Sequence, residues 1–385
     1  MKVITGLDAL IANGFSAIKG QRVGLLTNPS AVTGDLVSAY AVFRRATAFK
    51  LAALFSPEHG FAAAAADGEK VSSSVDPVSG APIYSLYGES LRPTREMLSG
   101  LDVLVCDIQD IGARYYTYAW TITHAVEAAG EVGLPVIVLD RPNPLGSAVD
   151  GPLLQPGYES LVGRCAVPIQ HGLTLGELIG LFNLRWNPTP AAITVITCQN
   201  YQRGQDWEST GLVFVPPSPA MAHLSTARQY PGACLIEGTN LSEGRGTALP
   251  FEICGAPYID SGRLADHLNG QGWAGVRFRP HSFKPSASKH AGQVCHGVQA
   301  HLVGDGFRPL LVWAGLVAAV RGLYLEAFGW VTPPGSTIPF FDRLVGSDEL
   351  RCQIEAGQPL EAIAAEWDRA AADFQKQSRE FWLYG

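Results

Sequence analysis

Apolar residues fall into two patterns over the first 150 positions. Short unbroken runs occur at Arg22-Val23-Gly24-Leu25-Leu26, Lys50 to Phe55, Asp102-Val103-Leu104-Val105-Cys106 and Pro135-Val136-Ile137-Val138-Leu139. Between them lie helical patterns over Asp35 to Arg45, Leu91 to Leu98 (with Pro93 near its first turn) and Tyr118 to Glu131, the last stopped by Gly133. A strand that is apolar at every position, rather than at alternate ones, has both faces covered. Strands of that kind alternating with helices predict an α/β fold, a Rossmann-like doubly wound lobe built on a mostly parallel sheet.

The pattern loosens after residue 150. Thr174 to Trp186 reads as a helix with Thr174 and Glu177 in capping-box spacing. Ala192 to Cys198 reads as a strand, and residues 200 to 260, rich in Gly, Pro, Ser and Thr, as long ordered loops. Gly275 to Phe283 and Val294 to Val303 predict strands of a smaller sheet, and Leu310 to Phe328 and Leu360 to Phe374 predict helices. The alanine run at 62 to 66 reads as loop. Pro and Gly cluster between 145 and 175, which places the expected boundary there: a Rossmann-like lobe over 1–160 and a smaller α+β lobe over 161–385 that completes a cleft.

Composition narrows the class. With 47% apolar and 16% charged residues in 385, the chain can bury a large core, and global disorder is excluded. The net charge of −7 gives no basic surface for nucleic acid, although a few converging arginines can still hold an anion. No run of about 20 apolar residues predicts a membrane span. The Met1-Lys2-Val3-Ile4 start lacks the pattern of a signal peptide. Seven scattered cysteines without a C-x-x-C pair read as reduced thiols, so a cytoplasmic protein is expected.

The candidate chemistry follows the strands. The first run ends in Thr27-Asn28-Pro29-Ser30, the second in Ser56-Pro57-Glu58-His59-Gly60, the third in Asp107-Ile108-Gln109-Asp110 followed by Gly112, Arg114, Tyr115 and Tyr116, and the fourth in Asp140-Arg141-Pro142-Asn143. Parallel strands bring their carboxyl ends to one edge, where open α/β sheets bind ligands. Glu58, in a tight turn near Phe55 and Phe61, suits general acid work, since apolar walls raise a carboxyl pKa; a turn cap or ion-pair partner is the structural alternative. Asp107 and Asp110 offer paired carboxylates, or else a helix cap and a partner for Arg114. Asp140, Arg141 and Asn143 form a candidate substrate-positioning loop, with a structural Asp140–Arg141 pair as the alternative.

The second half contributes one dense polar segment, Glu237 to Thr247, with three glycines and with Glu237, Asn240, Glu243 and Arg245 supplying acids, an amide and a cation. His171, before Gly172-Leu173-Thr174, is either a site residue or a neighbour of the helix cap. His281, His290, His296 and His301 match no zinc spacing, so no metal is expected. The first strand lacks G-x-G-x-x-G, and P-loop and G-x-S-x-G motifs are missing throughout, so no nucleotide cofactor and no serine nucleophile are expected. A carboxylate-rich cleft with arginines and tyrosines suits hydrolysis of a glycoside that bears an anionic group.

Three segments, Phe55-Ser56-Pro57-Glu58-His59-Gly60-Phe61, Asp107 through Tyr118, and Leu139-Asp140-Arg141-Pro142-Asn143-Pro144, resemble the exo-β-N-acetylmuramidases, formerly known only as a domain of unknown function. The similarity continues through His171 to Glu177, Pro216-Pro217-Ser218-Pro219, Tyr230-Pro231-Gly232, Glu237 to Thr247, Pro250-Phe251-Glu252 and Gly255-Ala256-Pro257. This resemblance implies an active site between the two lobes. It also implies release of β-linked N-acetylmuramic acid from the non-reducing ends of peptidoglycan fragments. Carried over, it makes Glu58 the leading candidate for general acid, with Glu243, Asp107 and Asp110 as candidates for a second carboxylate. Asn28, His59, Arg114, Tyr115, Tyr116, Asp140, Arg141, Asn143, His171, Asn240 and Arg245 are the expected substrate-binding residues, and Arg114, Arg141 or Arg245 the expected partner of the muramic-acid carboxylate. A transferase or esterase acting on an acidic amino sugar and a non-catalytic sugar-binding protein are the competing readings.

Overall fold

The computed structural model describes residues 1–65, 69 and 72–385. Its large sheet contains β1 (Arg22–Thr27), β2 (Lys50–Ser56), β3 (Ser74–Val75), β4 (Pro82–Ser85), β5 (Val103–Asp107) and β6 (Val136–Leu139). After a small antiparallel pair, β7 (Asp150–Leu153) with β8 (Pro168–Gln170), comes its last strand, β9 (Ile193–Ile196). The spatial order is β3-β4-β2-β1-β5-β6-β9, parallel throughout except for β3 on β4. With β3 set aside, the parallel strands follow the 3-2-1-4-5-6 order of a Rossmann sheet.

Why these strands are apolar at every position is visible in the packing. Val23, Leu25, Leu54, Val103, Val105, Ile137 and Leu139 face one side, against Leu7 and Leu10 of helix Gly6–Ala12 and Phe43 of helix Ala39–Arg45. Their neighbours Leu26, Phe55, Leu104, Cys106, Val136 and Val138 face the other, against helices Tyr118–Val132 and Leu175–Arg185. Successive side chains alternate across a strand, so two covered faces require an apolar residue at each position.

Helix boundaries follow their caps. The predicted helix from Asp35 begins only at Ala39, because Ser38 accepts the Ala41 amide and Leu36 takes a positive φ of 64°. The predicted helix from Leu91 is a single turn, Arg95–Leu98, capped by Thr94, which leaves Pro93 outside. Gly133, at φ 70°, ends the long helix where expected, and both bonds of the Thr174–Glu177 capping box are present. Ala62 and Ala63 form a turn and Ala65 a bend; Ala66 lies outside the described residues. The predicted strand near Ala192 is β9, paired with β6, so the large sheet takes its last strand and the helix before it from beyond residue 160.

The smaller lobe holds β10 (Ile253–Ala256), β11 (Val276–Phe283) and β12 (Cys295–Leu302), antiparallel in the order β10-β12-β11. Helix Ser261–Gly270 packs on β11 and β12, helix Leu224–Ala233 packs on helix Pro309–Leu323, and helix Leu360–Ser378 packs on β7 and β8; helices Phe340–Val345 and Glu349–Glu355 pack on each other. Helix Pro309–Leu323 is buried on almost every side, as its apolar run predicts. One continuous core joins the lobes, running from Phe55 and Trp120 through Tyr230 and Phe251 to Trp313 and Phe341. The chain end returns to the large sheet, where Tyr384 donates to Asp140 at 2.6 Å and the Leu383 amide to Glu177 at 2.8 Å. Among the described residues, no helix is long and apolar enough to cross a membrane.

Candidate active site

A cavity of about 280 Å³ opens between the strand-end loops of the large sheet and the smaller lobe. The turn after β2 contributes Glu58 and His59, and the segment after β5 contributes Tyr115 to Tyr118. The smaller lobe and its approaches contribute Ser218, Met221, Tyr230, Glu237, Arg245, Phe251 and Arg343.

Glu58 is held by its turn and by a neighbour. His59 and Gly60 both adopt left-handed backbone conformations, φ 67° and 76°, which turn the chain sharply at the end of β2. Thr117, just before helix Tyr118–Val132, donates from Oγ1 to Glu58 Oε2 at 2.7 Å. Glu58 is 6% exposed and lines the cavity. His59 Nδ1 lies 2.9 Å from the Ala65 carbonyl. Because a carbonyl only accepts, Nδ1 carries the proton and, in the neutral ring, Nε2 carries the lone pair.

One wall is aromatic. Tyr116 meets Tyr118 edge-to-face at 4.9 Å and Tyr230 at 5.9 Å, and Tyr230 meets Tyr115 at 5.6 Å and Phe251 at 4.8 Å. Burial pushes the Tyr115, Tyr116, Tyr118 and Tyr230 hydroxyls up, so all four stay protonated at neutral pH. Tyr115 spends its hydroxyl on the Pro231 carbonyl and Tyr118 on the Pro217 carbonyl at 2.7 Å. Rigid rings with tethered hydroxyls make a shaped apolar surface.

The other wall carries charge. Arg245 Nε donates to Glu237 Oε1 at 2.7 Å, and its guanidinium sits 5.0 Å from the Phe251 ring. Glu243 stands behind this pair, 1% exposed, with Lys289 Nζ at 3.0 Å and Arg245 Nε at 3.6 Å. Gly244 has φ 81°, and a β-carbon there would lie 2.5 Å from Ile253, so the turn that presents Arg245 requires glycine.

Several expected site residues are structural in this arrangement. Asp107 is fully buried, and both its oxygens accept from Arg141, Nε at 2.6 Å and Nη2 at 2.9 Å. Arg141 spends its remaining reach on the Val32 carbonyl. This pair closes the β5 and β6 ends, so neither member faces the cavity. Arg114, pushed down to about 10 by burial, donates to the carbonyls of Pro152, Val167, Leu344 and Val345. It clamps the two lobes rather than a ligand. Asp140 accepts from Thr174, Gly176 and Tyr384, and burial pushes it up to about 6 against those bonds. Asn143 bridges the Leu173 carbonyl and the Leu145 amide and packs on Gly112, where a β-carbon would lie 2.2 Å from the Asn143 Oδ1.

Asp110 Oδ2 accepts the Gly112 amide at 2.7 Å and has His171 Nε2 at 3.7 Å, behind the tyrosine segment. Asn28 ties Ser30 to the Pro217 carbonyl, which Tyr118 also holds, and so fixes the segment leading to Ser218 and Met221. Asn240 bonds Ala327, Gly329 and Tyr258 within the smaller lobe. His281, His296 and His301 lie on β11 and β12, with Arg279 3.4 Å from both His281 and His301. Of the expected residues, the cavity brings together Glu58, His59, Tyr115, Tyr116 and Arg245.

Sequence reasoning left out Thr117, Tyr118, Tyr230, Phe251 and Arg343 as site residues; Glu237 it read as an acid of the polar segment that carries Arg245, without assigning it to the site. Arg343 had no signal, being one cation in the ordinary helix Phe340–Val345.

Residues 23–225 match the family described as exo-beta-N-acetylmuramidase NamZ, N-terminal, and residues 228–384 match its C-terminal counterpart. The peptidoglycan beta-N-acetylmuramidase NamZ of Bacillus subtilis (strain 168) is 42% identical over 385 residues, covering 100% of this chain and 92% of that protein. Two crystal structures of DUF1343 family proteins from Bacteroides fragilis NCTC 9343 share the fold. One superposes with a TM-score of 0.91 at 33% identity and the other with 0.78 at 30%, each covering 100% of this chain and 99% of its own.

Proposed function

Since this chain belongs to the NamZ family of exo-β-N-acetylmuramidases, we propose that Glu58 is the general acid of its glycosidic cleavage. The chain is a glycoside hydrolase that releases β-linked N-acetylmuramic acid from the non-reducing ends of peptidoglycan fragments. The transferase, esterase and non-catalytic sugar-binding readings are not favoured by these relationships.

The observation that carries the role is the setting of Glu58: a buried carboxyl, oriented by Thr117, on the wall of the inter-lobe cavity. Protonated Glu58 gives its proton to the glycosidic oxygen as the bond to the anomeric carbon breaks, so the leaving sugar departs as a neutral alcohol. Glu237 is the second acidic side chain lining the cavity, and its role is to orient the water that bonds to the anomeric carbon, its own carboxyl being positioned by Arg245 Nε at 2.7 Å. Glu243, braced by Lys289, fixes Arg245 from behind. The Tyr116, Tyr230 and Phe251 rings take the apolar face of the sugar. At about 280 Å³ the cavity stands near the lower end of small-molecule sites, about 300 Å³, which suits one sugar residue removed at a time.

Seven free cysteines, six of them buried, support action in a reducing, cytoplasmic compartment, where the substrate is a fragment recovered from wall turnover. The test is incubation with a muramic-acid–glucosamine disaccharide, following the first sugar released and its anomer by NMR. Free N-acetylmuramic acid from wild type and almost none from Glu58→Gln is expected. Near-normal release by Glu58→Gln removes the assignment of the acid.

A further inference from the structure

The cavity contains two arginines whose electrostatic settings differ. Arg245 shares its charge with Glu237 at 2.7 Å and Glu243 at 3.6 Å. Arg343, on helix Phe340–Val345, has no carboxylate within salt-bridge distance among the described residues, and its guanidinium donates only a long 3.4 Å bond to Ser336 Oγ. Phe340, Arg343 and Leu344 stand three and four residues apart and all line the cavity, as do Leu161 and Val162. An uncompensated cation framed by apolar side chains attracts an anion more strongly than one in open water.

The helix that bears it is rigidly placed. Arg114 Nη2 donates to the Leu344 carbonyl at 2.9 Å and to the Val345 carbonyl at 2.5 Å, locking the helix end to the large lobe. A β-carbon on Gly238 would lie 2.4 Å from the Phe341 backbone, so the helix packs on the chain just after Glu237 with no room to shift. Arg343 is thus held at a set place on the cavity wall by residues of both lobes.

N-acetylmuramic acid differs from N-acetylglucosamine by an ether-linked lactyl group that ends in a carboxylate. We infer that Arg343 is the residue that recognises this carboxylate and so sets the preference for muramic acid over neutral amino sugars. The inference rests on the glycosidase reading above and names the group that reads its substrate. Leu161, Val162 and Leu344 take the lactyl methyl, and the Arg343 guanidinium meets the two carboxylate oxygens as a planar fork.

The test compares a chromogenic N-acetyl-β-muramide with the same compound carrying a lactyl amide in place of the acid. Wild type prefers the acid by kcat/KM. In Arg343→Ala that preference ratio falls on the order of 10- to 100-fold, the range for a lost charge-assisted hydrogen bond, mainly through KM. Arg343→Lys restores part of it. Arg245→Ala lowers turnover of both compounds together and keeps the ratio. An unchanged ratio in Arg343→Ala, or a collapse of the ratio in Arg245→Ala alone, overturns the inference and leaves the glycosidase reading standing. A wild type that cleaves neither compound nor the disaccharide overturns the glycosidase reading itself.

Discussion

Asp107–Arg141 and Glu237–Arg245 are the same chemical pair in two settings. Their shortest contacts are nearly equal, 2.6 and 2.7 Å. Asp107 is wholly buried at the end of β5, with both oxygens taken by one guanidinium. Glu237 and Arg245 are each 16% exposed, and both line the cavity. A saturated, enclosed pair has nothing left to offer a ligand, and breaking it strands a charge in a low dielectric. A pair on a cavity wall stands where a substrate can reach it. Proximity to a strand end, which made both sets candidates, therefore identifies the edge on which the site lies but not the members of the site.

The comparison can be broken in order of effect. Glu58→Gln sets the scale for the cavity: turnover of a chromogenic N-acetyl-β-muramide falls about 10²- to 10⁴-fold while the melting temperature holds. Loss of stability without loss of turnover would move Glu58 to the structural side. Asp107→Ala should do the opposite, costing about 3–5 kcal/mol in urea denaturation by leaving the Arg141 charge buried and alone, with the folded fraction still active. If that variant folds normally but is inactive, the enclosed pair is not merely structural. Glu237→Gln should lower kcat/KM by roughly 10-fold, the factor for about 1.4 kcal/mol, and shift stability by less than about 1 kcal/mol, as for a partly exposed pair. A larger stability loss than activity loss would erase the distinction between the two pairs.

The smallest effect concerns Asp140, another enclosed carboxylate. Its folded-state pKa of about 6 lies above its ordinary value of 3.8, so the folded protein holds the proton that the unfolded chain releases. Its stabilising contribution is complete below about pH 3.8 and is lost as pH rises through about 6. Tyr384→Phe removes the leading hydrogen bond to the anion. The cost, about 1 kcal/mol, should be larger at pH 7 than at pH 5 when read by denaturation at both. Equal costs would assign Tyr384 to packing against Tyr201 instead.

Much of the architecture was legible because it rests on local rules. Runs such as Val103 to Cys106 are apolar at every position only when helices cover both faces, and the Thr174–Glu177 box and Gly133 mark helix ends by their own hydrogen-bonding and φ requirements. Boundaries moved where a nearby cap competed, as Ser38 did against Asp35. The resemblance of long ordered segments pointed to the family, and Glu58 and Arg245 were legible as polar residues in tight, glycine-containing turns.

From its own residues the chain determined the layered α/β fold, the edge on which polar loops gather, and the turn that carries Glu58, because hydrophobic period, capping and turn chemistry act over a few neighbours. Only the tertiary structure decided that Arg114 and Arg141 are consumed inside the protein while Arg343, more than 200 positions from Arg114, lines the cavity. A guanidinium looks the same in sequence whether its donors end on backbone carbonyls or face a void. Which of these happens depends on what distant segments bring within 3 Å of it.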